Sequence, residues 1–228
     1  MHVKAEPYTF PHDDSLSPAN TAILVIDMQR DFCESGGYLT ESQGYEPLRA
    51  VTEPVRSLLA RARSHGYPIY FTREGHRPDL STLSSRELHR SRVRTGKGIG
   101  DTGRLGRFLV RGEPGHEIIP ECQPQDSELV IDKPGRSAFA HTDLDLLLRL
   151  RGIRNLIIAG VTTDVCVHST MREANDRGFD VMIVEDATEA GTGELHEAAI
   201  ASVKEEGGIF GCVGYVADII GAMKQLDR

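Results

Sequence analysis

Short apolar runs, each closed by a polar or small residue, recur along this chain and alternate with segments of helical period. Thr21–Asp27 (TAILVID) lacks the alternation of a half-exposed strand, so it predicts a strand buried on both faces. Similar runs follow at 68–72, 128–132, 155–160 and 180–185, with a weaker one at 208–213. Helical periodicity falls roughly at 50–65, 142–151, 165–177, 194–206 and 215–225. This alternation predicts an α/β fold: a six-stranded parallel sheet, Rossmann-like, with helices on both faces. With 228 residues the chain can bury ~70% of its unfolded surface in one core. No composition shift marks a linker, so residues 1–228 read as one domain. It has a polar leader over 1–20 and a charged, loop-rich insertion over 73–127, long for a connection and suited to binding loops or subunit contacts.

Several function classes are excluded at once. Lys and Arg total 26 against 34 Asp and Glu, and no basic run is interleaved with aromatics, which argues against nucleic acid and anionic membranes as partners. No apolar stretch nears the ~20 residues that span a bilayer and the start is too polar for a secretory signal, so a cytoplasmic location is expected. The glycines form neither a strand-linked GxGxxG nor a GxxxxGK[ST], so a nucleotide cofactor lacks its phosphate cradle. The four cysteines, Cys33, Cys122, Cys166 and Cys212, have no CxxC spacing and read as free thiols.

In open α/β sheets ligands bind beyond the carboxyl ends of the strands. Asp27 closes the first strand, Lys133 follows the third, and Cys166 lies just past the fourth. Singly, each has an ordinary explanation as a surface acid, a solvated lysine or a small buried thiol. Together they supply a nucleophile, a carboxylate to carry its proton and an ammonium to steady the ion pair. Thr162-Thr163-Asp164 offers capping side chains, which would put Cys166 in the first turn of a helix, where the dipole favours thiolate.

These residues sit in LVIDMQRDF (24–32), DKPG (132–135) and GVTTDVCVHST (160–170), and on those motifs the chain resembles the isochorismatase-like cysteine hydrolases. The resemblance runs from about residue 20 to 215. It implies Asp27 as general base and acid, Lys133 as triad lysine and Cys166 as nucleophile. It also implies a cis Val161–Thr162 peptide and an oxyanion hole from the amides of Thr162 and Cys166. Loop segments such as TREGHRPDL (72–80), GIGD (98–101) and RGEPG (111–115) resemble the biuret hydrolases and their triuret- and guanylurea-cleaving relatives. Phe32, Tyr38 and Phe139 are then expected as aromatic pocket walls, and Glu206, where biuret hydrolases carry a glutamine, as a contact to the far end of the substrate. The activity implied is hydrolysis of a C–N bond in a small linear ureide through an acyl-enzyme, in a homo-dimer or tetramer. The alternatives are another amide on the same triad (ureidoacrylate, N-carbamoylsarcosine or nicotinamide), or a binding protein on the same fold. Glu74 and His76 stand where nicotinamidases carry metal ligands, but two donors make no metal site, and His89 and His116 have no recognisable spacing to complete one, so supporting or substrate-binding roles are expected of them instead. Neither metal nor other cofactor is expected.

Overall fold

The structure is a computed structural model that describes residues 1–224; the last residue of the expected 215–225 helix lies outside them. The strands are β1 (Ala5–Glu6), β2 (Thr21–Ile26), β3 (Ile69–Glu74), β4 (Thr102–Gly103), β5 (Gly106–Arg107), β6 (Leu129–Lys133), β7 (Asn155–Val161), β8 (Asp180–Glu189) and β9 (Cys212–Gly214). The helices are α1 (Arg30–Cys33), α2 (Tyr38–Glu41), α3 (Thr52–Ser64), α4 (Ser85–Arg92), α5 (Leu144–Leu150), α6 (His168–Asp176), α7 (Gly193–Lys204) and α8 (Val216–Lys224). None is long and apolar enough to cross a membrane.

The main sheet has seven strands in the order β1-β9-β8-β7-β2-β3-β6, and β4 and β5 form a separate two-stranded ribbon. All the main-sheet pairings are parallel except β1 with β9. The α/β class and the six parallel strands are as the sequence predicts; the seventh comes from the leader. Val3 and Phe10 are fully buried and pair with each other, which pins the intervening Ala5–Glu6 against Cys212–Gly214. Two inward apolar residues thus convert a polar leader into an edge strand.

Every residue of β2 and of β7 is buried, and the pleat divides them between two cores. Ile23 and Val25 face Val55, Leu58, Leu59 and Ala62 of α3 and Ile219 and Met223 of α8. Ala22, Leu24 and Ile26 face Leu148 of α5, Met171 and Ala174 of α6 and Val203 of α7. The i, i+3, i+4, i+7 spacing in α3 is what makes that segment a helix with one apolar stripe. Ser84 and Thr192 cap α4 and α7 by accepting from the amides of Glu87 and Leu195.

The chain leaves β2 toward β3 and β6, then returns to the other side of β2 for β7, β8 and β9. The order therefore reverses between β2 and β7, where a crevice opens beyond the strand ends. Gly160 makes the close approach there possible. Its φ is +109°, and a Cβ on it would lie 2.0 Å from the Ile26 carbonyl oxygen. Gly160→Ala should therefore lower stability by about 3 kcal/mol or more, from backbone strain and from overlap with the central strand. A urea midpoint within error of the parent would show that the two strands can separate at no cost.

Candidate active site

Each strand end at the reversal delivers one polar group. Asp27 follows β2 with φ +47°, its amide bonded to the Thr72 carbonyl at 3.2 Å. Glu74 ends β3 and Lys133 ends β6, and the two are register partners, so their side chains leave the sheet on the same face. Cys166 sits in a π-helical turn over Thr163–Val167 that leads into α6, a geometry often found at functional sites. The turn begins as the sequence suggests, but no side chain caps it; Thr163 Oγ1 instead lies 2.9 Å from His196 Nδ1. The Val161–Thr162 peptide preceding it is cis.

Lys133 is wholly buried, and its ammonium is the hub. Nζ lies 2.7 Å from Asp27 Oδ2, 3.5 Å from Glu74 Oε2 and 3.4 Å from Cys166 Sγ, and it donates to the Gly135 carbonyl at 2.9 Å. Asp27 Oδ1 accepts from Thr72 Oγ1 at 2.6 Å. The Cys166 thiol donates to Glu74 Oε2 at 3.2 Å, and Glu74 Oε1 pairs with Arg136 at 3.0 Å. Arg136 also pairs with Glu87 of α4. The structure thus brings Asp27, Lys133 and Cys166 together and adds Glu74 and Arg136.

Burial pushes the Cys166 thiol well above its ordinary pKa, Lys133 only partly opposing it, so the resting group is S–H. Burial likewise raises Asp27, against the pull of Lys133. Burial would raise Glu74 too, but Arg136 and Lys133 outweigh it and hold this carboxyl below its usual range. Desolvation disfavours the Lys133 ammonium, yet Asp27, Cys166 and Glu74 together raise its pKa.

Ligand atoms of Asp27, Glu74 and Cys166 lie within 4.8 Å of one another, close enough to hold a cation, but the Lys133 ammonium already occupies the space between them. His76 belongs to no such cluster among the described residues and turns Nδ1 to Thr82 Oγ1 at 3.2 Å. His116 is buried beside Gly75, where burial lowers its pKa to about 4 and keeps the ring neutral.

Above the thiol lies a cavity of about 290 Å³. Phe32, Tyr38 and Thr162 line it. Phe139 does not: its ring packs 5.8 Å from Phe179 in the core under α5 and α6. Glu206 does not either. It is exposed on the turn after α7, with φ +50°, where the chain reverses toward Gly211 and Cys212. Sequence reasoning missed the guanidinium groups of the wall, Arg90, Arg94 and Arg136, together with Gln43 and Ser91. Glu74 it weighed as a metal ligand or a substrate contact, not as part of the charge cluster. The signal for Glu74 was available: the strand runs two residues past the expected 68–72, so the strand-end rule that picks Asp27 picks Glu74 as well.

Residues 21–214 match the isochorismatase domain family. The ureidoacrylate amidohydrolase RutB of Acinetobacter baylyi is 32% identical over 209 residues, covering 89% of this chain and 82% of that protein. A solved cysteine hydrolase from Pseudomonas syringae pv. phaseolicola superposes with a TM-score of 0.77 at 26% identity over 99% and 98% of the two chains. The N-carbamoylsarcosine amidase of Thermoplasma acidophilum gives 0.65 at 25% identity over 86% and 96%. The chain belongs to the isochorismatase family, among its cysteine hydrolases. The narrower expectation of a biuret hydrolase gives way: the curated similarity is to ureidoacrylate amidohydrolases, the alternative substrate class.

Taking Lys133 out of this cluster would leave two buried carboxylates facing each other. Lys133→Met should cost ~3–5 kcal/mol near neutral pH. The deficit should shrink near pH 5, where the facing carboxyls take up protons and the repulsion ends. Urea unfolding at both pH values checks this; an equal deficit at both would assign the loss to packing instead of charge.

Proposed function

We propose that this amidohydrolase cleaves the C–N bond of a small linear ureide bearing a carboxylate, of the ureidoacrylate type. The observation that carries the reading is the charge of the cavity. Three guanidinium groups line it, and two of them are already matched, Arg90 by Glu87 and Arg136 by Glu74 and Glu87, which leaves Arg94 as the open cation of the wall. Arg94 lies 4.2 Å over the Tyr45 ring, and no acidic side chain pairs with it among the described residues. Such a stacked guanidinium presents its edge for bidentate capture of a carboxylate. Similarity to ureidoacrylate amidohydrolases supports the same reading. Biuret and triuret have no carboxylate and would leave Arg94 without a partner, desolvated by the bound ligand.

In this mechanism Cys166 attacks the ureide carbonyl and the amides of Thr162 and Cys166 receive the oxyanion. Lys133 holds the anionic partners in register. Asp27 takes the thiol proton, returns it to the leaving nitrogen and then activates water to release the acyl group. The cavity volume suits a substrate of a few heavy atoms, enclosed by Phe32 and Tyr38.

A panel of ureidoacrylate, N-carbamoyl amino acids, biuret, triuret and nicotinamide, read as ammonia release, should give the highest kcat/KM with a carboxylate-bearing ureide. Arg94→Gln should lower that value by ~10-fold or more and leave biuret hydrolysis, where present, unchanged. Higher kcat/KM for biuret than for any carboxylate-bearing ureide would overturn the substrate class. Cys166→Ala should abolish turnover with an unchanged unfolding midpoint; appreciable residual turnover would remove the covalent mechanism.

A further inference from the structure

The cavity wall beside Arg94 carries an acceptor whose direction is fixed. Gln43 borders the cavity, and its amide nitrogen donates to Ser42 Oγ at 2.8 Å, to the Tyr38 hydroxyl at 3.1 Å and to the Ser91 carbonyl at 3.3 Å. Two of these partners dictate which end of the amide faces them. A carbonyl can only accept. The Ser42 hydroxyl spends its proton on the Lys97 carbonyl at 2.8 Å, so toward Gln43 it too can only accept. Turning the amide over would set its oxygen against both acceptors, on residues that are buried. The nitrogen therefore stays on the protein side, and Oε1 is left without a donor among the described residues.

Gln43 and Arg94 belong to one patch of wall. The ring beneath the Arg94 guanidinium is that of Tyr45, close to Gln43 in the chain, and Ser91, whose carbonyl Gln43 holds, lies one helical turn before Arg94. The patch thus offers a cation and, beside it, an acceptor that lacks a donor.

We propose that Gln43 Oε1 is a specificity determinant that accepts the N–H between the ureide carbonyl and the carbon chain bearing the carboxylate. The inference rests on the carboxylate-bearing ureide proposed above as substrate. With the carbonyl carbon on Cys166 and the carboxylate on Arg94, that internal N–H is the donor on the Arg94 side of the ureide, and the terminal amide lies on the other. A ligand that closes the patch to water leaves Oε1 bare unless it brings a donor. Because the anchored amide cannot turn over, an analogue with oxygen in place of the N–H meets lone pair against lone pair. Arg94 alone would take any short carboxylate; Gln43 makes the site read nitrogen at this position.

The test reads binding, so it does not depend on turnover. Cys166→Ala protein is titrated calorimetrically with N-carbamoylglycine and with its oxygen isostere, O-carbamoylglycolate, which differ only in that N–H. N-carbamoylglycine should bind ~10-fold or more tightly than the isostere. Adding Gln43→Met keeps length and bulk but removes the amide oxygen, and should bring the two within ~3-fold through lost affinity for N-carbamoylglycine. A merely structural role would weaken both compounds alike and leave their ratio standing. Gln43→Lys, which restores donors to Ser42 and Ser91 yet has no acceptor, should erase the preference as well. Equal binding before Gln43 is changed, or a preference that survives either variant, would overturn the proposal. Arg94→Gln should weaken both compounds alike and keep their ratio. If it weakened neither, the carboxylate reading beneath the proposal would fall, while the ratio would still judge Gln43. Binding of neither compound would overturn that reading and the proposal with it.

Discussion

A lysine ammonium with no contact with water is tenable only where anionic groups surround it, since a bare buried ion costs several kcal/mol. Lys133 meets that condition by drawing on three strand ends at once, Asp27 after β2, Glu74 at the end of β3 and its own place at the end of β6, with the Cys166 sulfur closing the ring. The sheet serves this cluster directly. Pairing sets Glu74 opposite Lys133, and the long lysine stem spans β3 to reach the carboxylate beyond β2. A slip of one residue in β6 would turn Lys133 to the other face and leave two carboxylates without their cation. Register, and with it the packing of both helical layers, is therefore a requirement of the charge cluster as much as of the apolar core.

Around that fixed centre the cavity wall is drawn from elsewhere in the chain. Arg90, Ser91 and Arg94 come from α4 and the turn after it, Gln43 and Tyr45 from the segment after α2, and Arg136 from the loop after β6. Asp31, a buried carboxylate raised to about 6 by desolvation, ties the start of α2 to the segment after β5 by accepting from the amides of Tyr38 and Leu109. The reacting groups thus stand at or just beyond strand ends, and the wall groups on α4 and the loops. Loop residues can change what the site accepts without disturbing the ion cluster.

Much of this was legible in the residues. Strands buried on both faces announce themselves as unbroken apolar runs, and β2 and β7 do so most clearly because nothing in them faces water. Asp27, Lys133 and Cys166 were legible as strand-end polar groups in recognisable motifs. What escaped depended on contacts that no local pattern encodes. Phe139 reads equally as pocket wall or core, and only the position of Phe179 decides. Glu206 looked like the end of a helix beside the site, but a left-handed turn carries it to the surface. The leader looked unstructured because its strand is two residues long and its anchors, Val3 and Phe10, are too far apart to form a pattern.

That short strand has a wider consequence. Ala5–Glu6 covers the outer edge of β9, and Tyr8 and the His12 amide fasten the segment to Asp180. Remove the first ten residues and the main-chain donors and acceptors of Cys212–Gly214 stand open beside apolar surface that Val3 and Phe10 had sealed. An edge in that state is a template for strand addition by another molecule. The amino terminus is accordingly the guard against self-association on this side of the sheet, and an affinity tag or a truncation there acts on solubility before it acts on the distant thiol.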